Sequence, residues 1–243
     1  MKMLVFANRT TMEIVRDPLS LFFGLGFPIV LLLLLSAINR SIPVDLFNIA
    51  SLTPGIAVFG LSFMALFTAQ ILSKDRASSF LTRLFTTPMT SADFIMGYSV
   101  PLLMMSIVQG IVCYIVAMFM GLSISISMIW AIVLLIPTSL IFIGLGLLCG
   151  TLLSEKAAVG VCGALLTNLS AWLSGVWFDL NLIGGLFKDI AYILPFVHAV
   201  DMGKAALNGE YGNIFPHLWW VLGYGIIISI IAIAMFKKKM QVE

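Results

Sequence analysis

Six long apolar stretches determine the solvent in which this chain folds. They run Leu19–Ile38, Ser51–Leu72, Phe94–Met120, Met128–Leu153, Ala157–Phe178 and Leu218–Phe236, and the short islands between them hold nearly every charge. Crossing a hydrocarbon core of roughly 30 Å takes about 20 helical residues, a length each stretch approaches or exceeds. The expected fold class is therefore an all-α membrane protein, with six transmembrane helices forming a single domain over residues 1–243. Only 10% of the residues are charged and 61% are hydrophobic, against about 25% charged in soluble domains.

Short loops rich in Lys and Arg stay in the cytoplasm. Six spans put both ends on one side, where Lys2, Arg9, Arg16, Lys74, Arg76, Arg83, Lys156, Lys237, Lys238 and Lys239 fall, leaving Arg40, Lys188 and Lys204 opposite. Both termini are expected in the cytoplasm. Asp45, Asp179, Asp189, Asp201 and Glu210 fall mostly outside, so the net charge of +2 conceals a polarity across the membrane and says nothing of nucleic acid. The first stretch is too long for a secretory signal, and no small-residue cleavage site follows it before Arg40. Cys113, Cys149 and Cys162 lie in or at the ends of spans, an odd number without paired spacing, which suits small apolar residues better than a disulfide framework or a metal site.

Residues 1–18 read as an interfacial elbow. Met3, Leu4, Phe6, Ala7, Ile14 and Val15 alternate with Lys2, Arg9, Glu13 and Arg16, the pattern of a helix lying along a membrane surface. Asp17-Pro18 then breaks that helix and starts the first span, because proline disfavours helix in the residue before it and suits a first turn. Thr53-Pro54 reads as an N-cap and first helical position, and Thr90 with Asp93 as a capping box. Pro28 and Pro137 fall inside spans, where each predicts a kink. Gly144, Gly146 and Gly150, and Gly160 with Ala164, form small-residue packing surfaces, expected to meet other helices of the same bundle.

The segment between the second and third spans carries the most information of any loop. Phe80, Leu81, Leu84 and Phe85 share one face of a short helix that Pro88 ends. Such a helix either lies on lipid headgroups or docks into a groove on a partner, and periodicity alone favours lipid.

Three motifs in order change that ranking: Arg16-Asp17-Pro18 before the first span, Leu84-Phe85-Thr86-Thr87-Pro88 in the loop, and the late segment Leu194-Pro195-Phe196-Val197-His198-Ala199-Val200-Asp201. Together with the six-span order they resemble the permease subunits of type-2 ABC exporters. The resemblance implies that Ser78–Thr87 is a coupling helix seated in a cleft of a cytosolic ATPase, with Phe80, Leu81, Arg83, Leu84, Phe85, Thr87 and Pro88 as its contact residues. It implies partners in trans: two copies of an ATPase subunit, which bind the ATP and Mg, and a second permease, either another copy or a paralogue. This chain itself has no G-x-x-x-x-G-K-[ST] phosphate loop, and its loops are too short for a nucleotide-binding domain of about 100 to 200 residues. It is expected to be non-catalytic, to bind no cofactor or metal, and to reside among the lipids of a bacterial inner membrane. The second and fifth spans are implied to line the path, with Phe59, Phe63, Phe67, Asn168, Trp172 and Trp177 as candidate wall residues for an amphipathic drug, antibiotic or peptide.

Between the fifth and sixth spans, residues 179–209 contain apolar runs too short to cross a bilayer, broken by Gly184-Gly185 and Pro195. Asp179–Tyr192 reads as a re-entrant or surface-lying helical pair and Phe196–Leu207 as a short helix ended by Asn208-Gly209. His198 and Asp201 stand three apart, a spacing that permits contact but supplies too few ligands for a metal. Two other classes compete with the exporter. A secondary transporter would couple to ions through intramembrane carboxylates, which the spans lack away from their ends. A noncatalytic anchoring or assembly factor would be indifferent to changes in the coupling segment.

Overall fold

The computed structural model describes residues 2–41, 48–78, 80–81 and 89–242. Helix accounts for nearly all of it, and no strand occurs among the described residues. Six helices are long and apolar enough to cross a membrane: Pro18–Asn39, Ile49–Ala77, Ser91–Phe119, Ile126–Leu152, Glu155–Leu173 and Tyr211–Lys239. They correspond one for one to the six apolar stretches.

The second span is the axis of the bundle. Within its most apolar window 89% of residues are buried, against 28% for the first span, 33% for the fifth and 17% for the sixth. Three spans thus keep most of their surface for lipid or another protein. Intimate packing of the second and fourth spans depends on glycine: a Cβ on Gly146 would meet the Ala65 carbonyl oxygen at 2.5 Å, and one on Gly150 would meet the Ala69 oxygen and Leu72 Cβ at 3.0 Å. Gly144 is similarly closed by Ile228 of the sixth span. Small residues let backbones approach where lipid supplies no hydrophobic drive. Gly160 differs, since a Cβ there would meet nothing within 4 Å. The Gly160–Ala164 surface of the fifth span is open, contrary to the expectation of internal packing.

Helix boundaries follow local chemistry, with one correction. Thr90 and Asp93 form the expected capping box. The second span, however, starts at Ile49, where the Asn48 side chain accepts from the Ala50 N–H at 3.0 Å. Thr53-Pro54 lies one turn inside, with the Thr53 hydroxyl donating to the Ile49 carbonyl at 2.6 Å. Pro54 is the sixth residue of this helix, inside it rather than in its first turn, and supplies no N–H for the Ala50 carbonyl. The sequence thus offers two starts, and the asparagine cap upstream wins.

Irregular turns interrupt two of the open spans. Wide π turns occupy Phe22–Gly26, just before Pro28, and Val161–Leu166. At the second, the Thr167 hydroxyl donates to the Cys162 carbonyl five residues back at 3.0 Å, which helps satisfy a carbonyl displaced from α-helical pairing. The fourth span breaks at Leu134, three residues before Pro137. Beyond the fifth span come three short helices, Leu180–Ile183, Gly185–Ile193 and Pro195–Leu207, the last two bent by 80°. Gly184 and Gly185 make the first of these turns with φ of 63° and 59°, a conformation that glycine adopts freely.

Candidate functional site

The N-terminal helix Lys2–Arg16 buries Phe6, Ala7, Thr10 and Ile14 on one stripe and packs against the third span. Gly97 in that span makes room, since any Cβ there would collide with the Phe6 ring. Phe6 stands edge-on to Phe94 and Tyr98, at centroid distances of 5.7 and 4.9 Å, and stacks on Phe80 at 6.4 Å. Phe80 therefore brings the described start of the loop segment onto the N-terminal helix, and Leu81 beside it is 2% exposed.

Above this aromatic layer lies a charged clamp. Asp75, in the last turn of the second span, is 2% exposed. Arg9 grips it with both terminal nitrogens: Nη1 donates to Oδ2 at 2.5 Å and Nη2 to Oδ1 at 2.7 Å. The Tyr98 hydroxyl donates to Oδ2 at 2.8 Å. Glu13, one turn along from Arg9, forms an ion pair with Arg9 at 3.0 Å, and its Oε1 accepts from Lys74 at 3.2 Å. The Arg9 guanidinium also sits 4.4 Å above the Phe80 ring centroid, an attractive cation–π geometry. Burial opposes the charge on Arg9, but the bonds to Asp75 and the charges of Asp75 and Glu13 more than offset it, and its pKa rises above the ordinary value.

The remaining cation of this turn works in a different direction. Arg76 Nη1 donates to the carbonyls of Gly150 at 2.7 Å and Leu153 at 3.2 Å. These belong to the last turn and C-cap of the fourth span, where carbonyls lack helical donors and a cation meets the negative end of the helix dipole. Lys74, Asp75 and Arg76 thus tie the end of the central span to three neighbours.

The expected contact residues of the coupling segment divide here. Phe80 and Leu81 are placed as described, whereas Arg83, Leu84, Phe85, Thr87 and Pro88 lie outside the described residues. Of the elbow, Asp17 caps the first span through the Leu19 N–H at 3.2 Å and accepts from the Ser20 hydroxyl at 2.6 Å; Pro18 takes the first helical position and Arg16 ends the preceding helix.

The candidate wall residues also fall into two sets. Phe59, Phe63 and Phe67 are 6%, 6% and 3% exposed. Phe59 and Phe63 join Phe23, Phe27 and Trp177 in a column of ring contacts between the first and second spans and the turn after the fifth. Asn168 and Trp172 instead face outward on the fifth span, beside Gly160 and Ala164 in a groove of about 420 Å³. The Asn168 amide donates to the Ala164 carbonyl at 2.7 Å, so its own helix satisfies part of its polarity.

At the opposite end His198 and Asp201, whose spacing permits contact, each bond other partners. His198 Nε2 donates to the Tyr192 carbonyl at 2.9 Å, and its Nδ1 shares a hydrogen bond with His217 Nδ1 at 2.9 Å. Trp220 stacks on His198 with centroids 5.0 Å apart. Asp201 lies 4.0 Å from Lys204, and burial pushes its carboxyl up from the usual range against the pull of Lys204, His217 and His198. No group of three metal-ligating side chains occurs among the described residues.

Asp75 is the functional candidate that reasoning from the sequence missed. Its signal was a stripe, since Ala65, Thr68 and Leu72 recur on the buried face at helical spacing and Asp75 continues it. A carboxylate in register with a buried stripe, opposite an amphipathic helix bearing Arg9, calls for a cationic partner.

The comparisons with known proteins agree with this architecture. The chain is 33% identical over 140 residues to a putative transport permease, ycf38, of Porphyra purpurea, a match covering 54% of this chain and 48% of the relative. It is 21% identical over 156 residues to nodulation protein J of Rhizobium leguminosarum bv. viciae, covering 64% of this chain and 60% of that protein. The matches thus span about half to three fifths of the length of these relatives. The family model for the ABC-2 type transporter matches residues 1–207, and the chain belongs to that family.

Proposed function

We propose that this chain is the membrane-spanning subunit of an ATP-driven exporter, with hydrolysis carried out on a separate cytosolic ATPase. Membership of the ABC-2 type transporter family over residues 1–207 is the observation that carries this reading. A permease of this kind needs no catalytic residue. It supplies two packings of the same helices, whose balance the ATPase shifts by moving the segment docked to it.

Residues 78–87 are the proposed docking segment, with the basic end of the bundle and both termini in the cytoplasm. Movement of Phe80 and Leu81 would reach the second span through Phe6, Arg9 and Asp75, the span with the largest buried share. Two permeases would pair to complete the pathway. The exposed first and fifth spans, with the open groove at Asn168 and Trp172, are the faces available for that pairing and for the path. An amphipathic drug, antibiotic or peptide suits spans that are apolar along their length. The membrane proposed is a bacterial inner membrane.

Substituting Phe85→Asp tests the docking segment. Placing a charge in an apolar contact should weaken copurification of the ATPase at least about tenfold, the effect of a single interface hot spot, while leaving the six-span chain inserted. Undiminished copurification would overturn the assignment.

A further inference from the structure

Outside the clamp, a cavity of about 430 Å³ opens between the N-terminal helix, the start of the first span and the last turns of the second. That volume lies within the range of roughly 300–1,000 Å³ typical of ligand pockets. Four charges ring it: Glu13, Arg16, Asp17 and Lys74. They sum to zero, with cations and carboxylates interleaved. Gln70 adds an amide at the rim, and Phe67, 3% exposed, forms part of an apolar floor.

Each charged group keeps capacity for a ligand, Glu13 only through the remaining lone pair of Oε1, since Oε2 is buried against Arg9. Lys74 is 59% exposed and spends one of its three donors on Glu13. The Arg16 side chain makes no ion pair among the described residues. Asp17 caps its helix with one bond to each oxygen, which leaves a lone pair on each. The surface beside the cavity is apolar, with Val15 55%, Leu19 65% and Phe22 51% exposed. Polar groups of both signs next to a strip suited to hydrocarbon are the arrangement of a site at headgroup depth.

We propose that this cavity holds the headgroup of a phosphoethanolamine lipid, its phosphate on Arg16 and Lys74, its ammonium on Glu13 and Asp17, and its acyl chains along Val15, Leu19 and Phe22. A balanced ring of charge matches a zwitterion better than an anionic headgroup. Carboxylates reward a primary ammonium, which donates hydrogen bonds, over a quaternary choline, which has none to donate and favours aromatic cages. Phe67 is the one aromatic residue lining the cavity.

Native mass spectrometry of the full chain in detergent tests this without any ATPase, so its result is independent of the exporter reading. Phosphatidylethanolamine, phosphatidylcholine and phosphatidylglycerol of identical acyl chains are titrated separately, alongside free phosphoethanolamine. The expected result is retention of phosphatidylethanolamine about tenfold above the other two lipids, corresponding to one charge-assisted hydrogen bond, with negligible retention of the free headgroup. Arg16→Ala with Lys74→Ala should abolish the preference. Gln70→Trp, which fills the cavity without changing its charge, should abolish it too and serves if the double variant fails to fold. Equal retention of the three lipids, a preference that survives either folded variant, or free phosphoethanolamine binding as well as the lipid would each overturn the proposal.

Discussion

Replacing Asp75 by Asn isolates the clamp, because the side chain keeps its shape and loses its charge. Asp75 accepts three hydrogen bonds, two from Arg9 and one from Tyr98. An amide oxygen can serve one of these partners well, while the amide NH₂ is turned toward a donor. A hydrogen bond to a charged group contributes about 1.5–3 kcal/mol. The Arg9 side chain is 36% exposed, so water restores part of its lost partner and brings that contribution down toward about 1 kcal/mol. Tyr98 is fully buried and has no such recourse. The expected loss is about 2–4 kcal/mol, at the upper end for a single substitution. Unfolding in mixed micelles measures it, combined in a cycle with Arg9→Met. Each single variant strands the other charge, so the double variant should lose less than the sum by at least about 1 kcal/mol. Additive costs, or an Asp75→Asn variant as stable as the parent, would refute the clamp.

Three further outcomes follow from the same packing. Phe6→Ala should cost about 3–5 kcal/mol, as for other buried phenylalanines, and should raise hydrogen exchange at Phe80, which loses the ring it stacks on; unchanged exchange there would separate the loop segment from the N-terminal helix. Gly146→Ala should destabilise by about 1–3 kcal/mol through overpacking against the Ala65 carbonyl, whereas Gly160→Ala, facing open space, should be neutral or slightly stabilising in the same assay. At the opposite end, burial raises the Asp201 pKa, so the folded chain holds this proton more tightly than the unfolded chain. Stability should therefore fall as pH rises from about 4 through the raised value, and Asp201→Asn should flatten that part of the thermal-stability profile.

Where the fold was legible in the sequence, the reason is solvent. Hydrocarbon demands long uncharged helices, so all six spans could be located and the charges between them were conspicuous, although the sixth begins at Tyr211, seven residues before the apolar stretch that marked it. Boundaries set by a side chain bonding its own backbone were read at Thr90 but misplaced at Thr53, because Asn48 offers an equally good cap one turn earlier. Long-range pairings left weaker traces. Nothing local distinguishes Gly146, sealed against the second span, from Gly160, which faces open space. His198 has Asp201 at helical spacing, yet it bonds His217 from another element, and only the folding of Pro195–Leu207 against the sixth span brings the two rings together. Asp75 was concealed by its neighbours Lys74 and Arg76, which made the turn look like an ordinary charged end. Its partner Arg9 lies 66 residues away in sequence.

The proposed function makes this chain a non-catalytic permease driven by an ATPase in trans. Affinity purification of the tagged chain from its native membrane in mild detergent, with mass spectrometry and an ATPase assay of the eluate, tests it most directly. A copurifying protein that carries a glycine-rich phosphate loop is expected, with vanadate-sensitive hydrolysis that falls when Phe85→Asp is introduced. Recovery of this chain alone across several detergents, with no hydrolysis in the eluate, would contradict it.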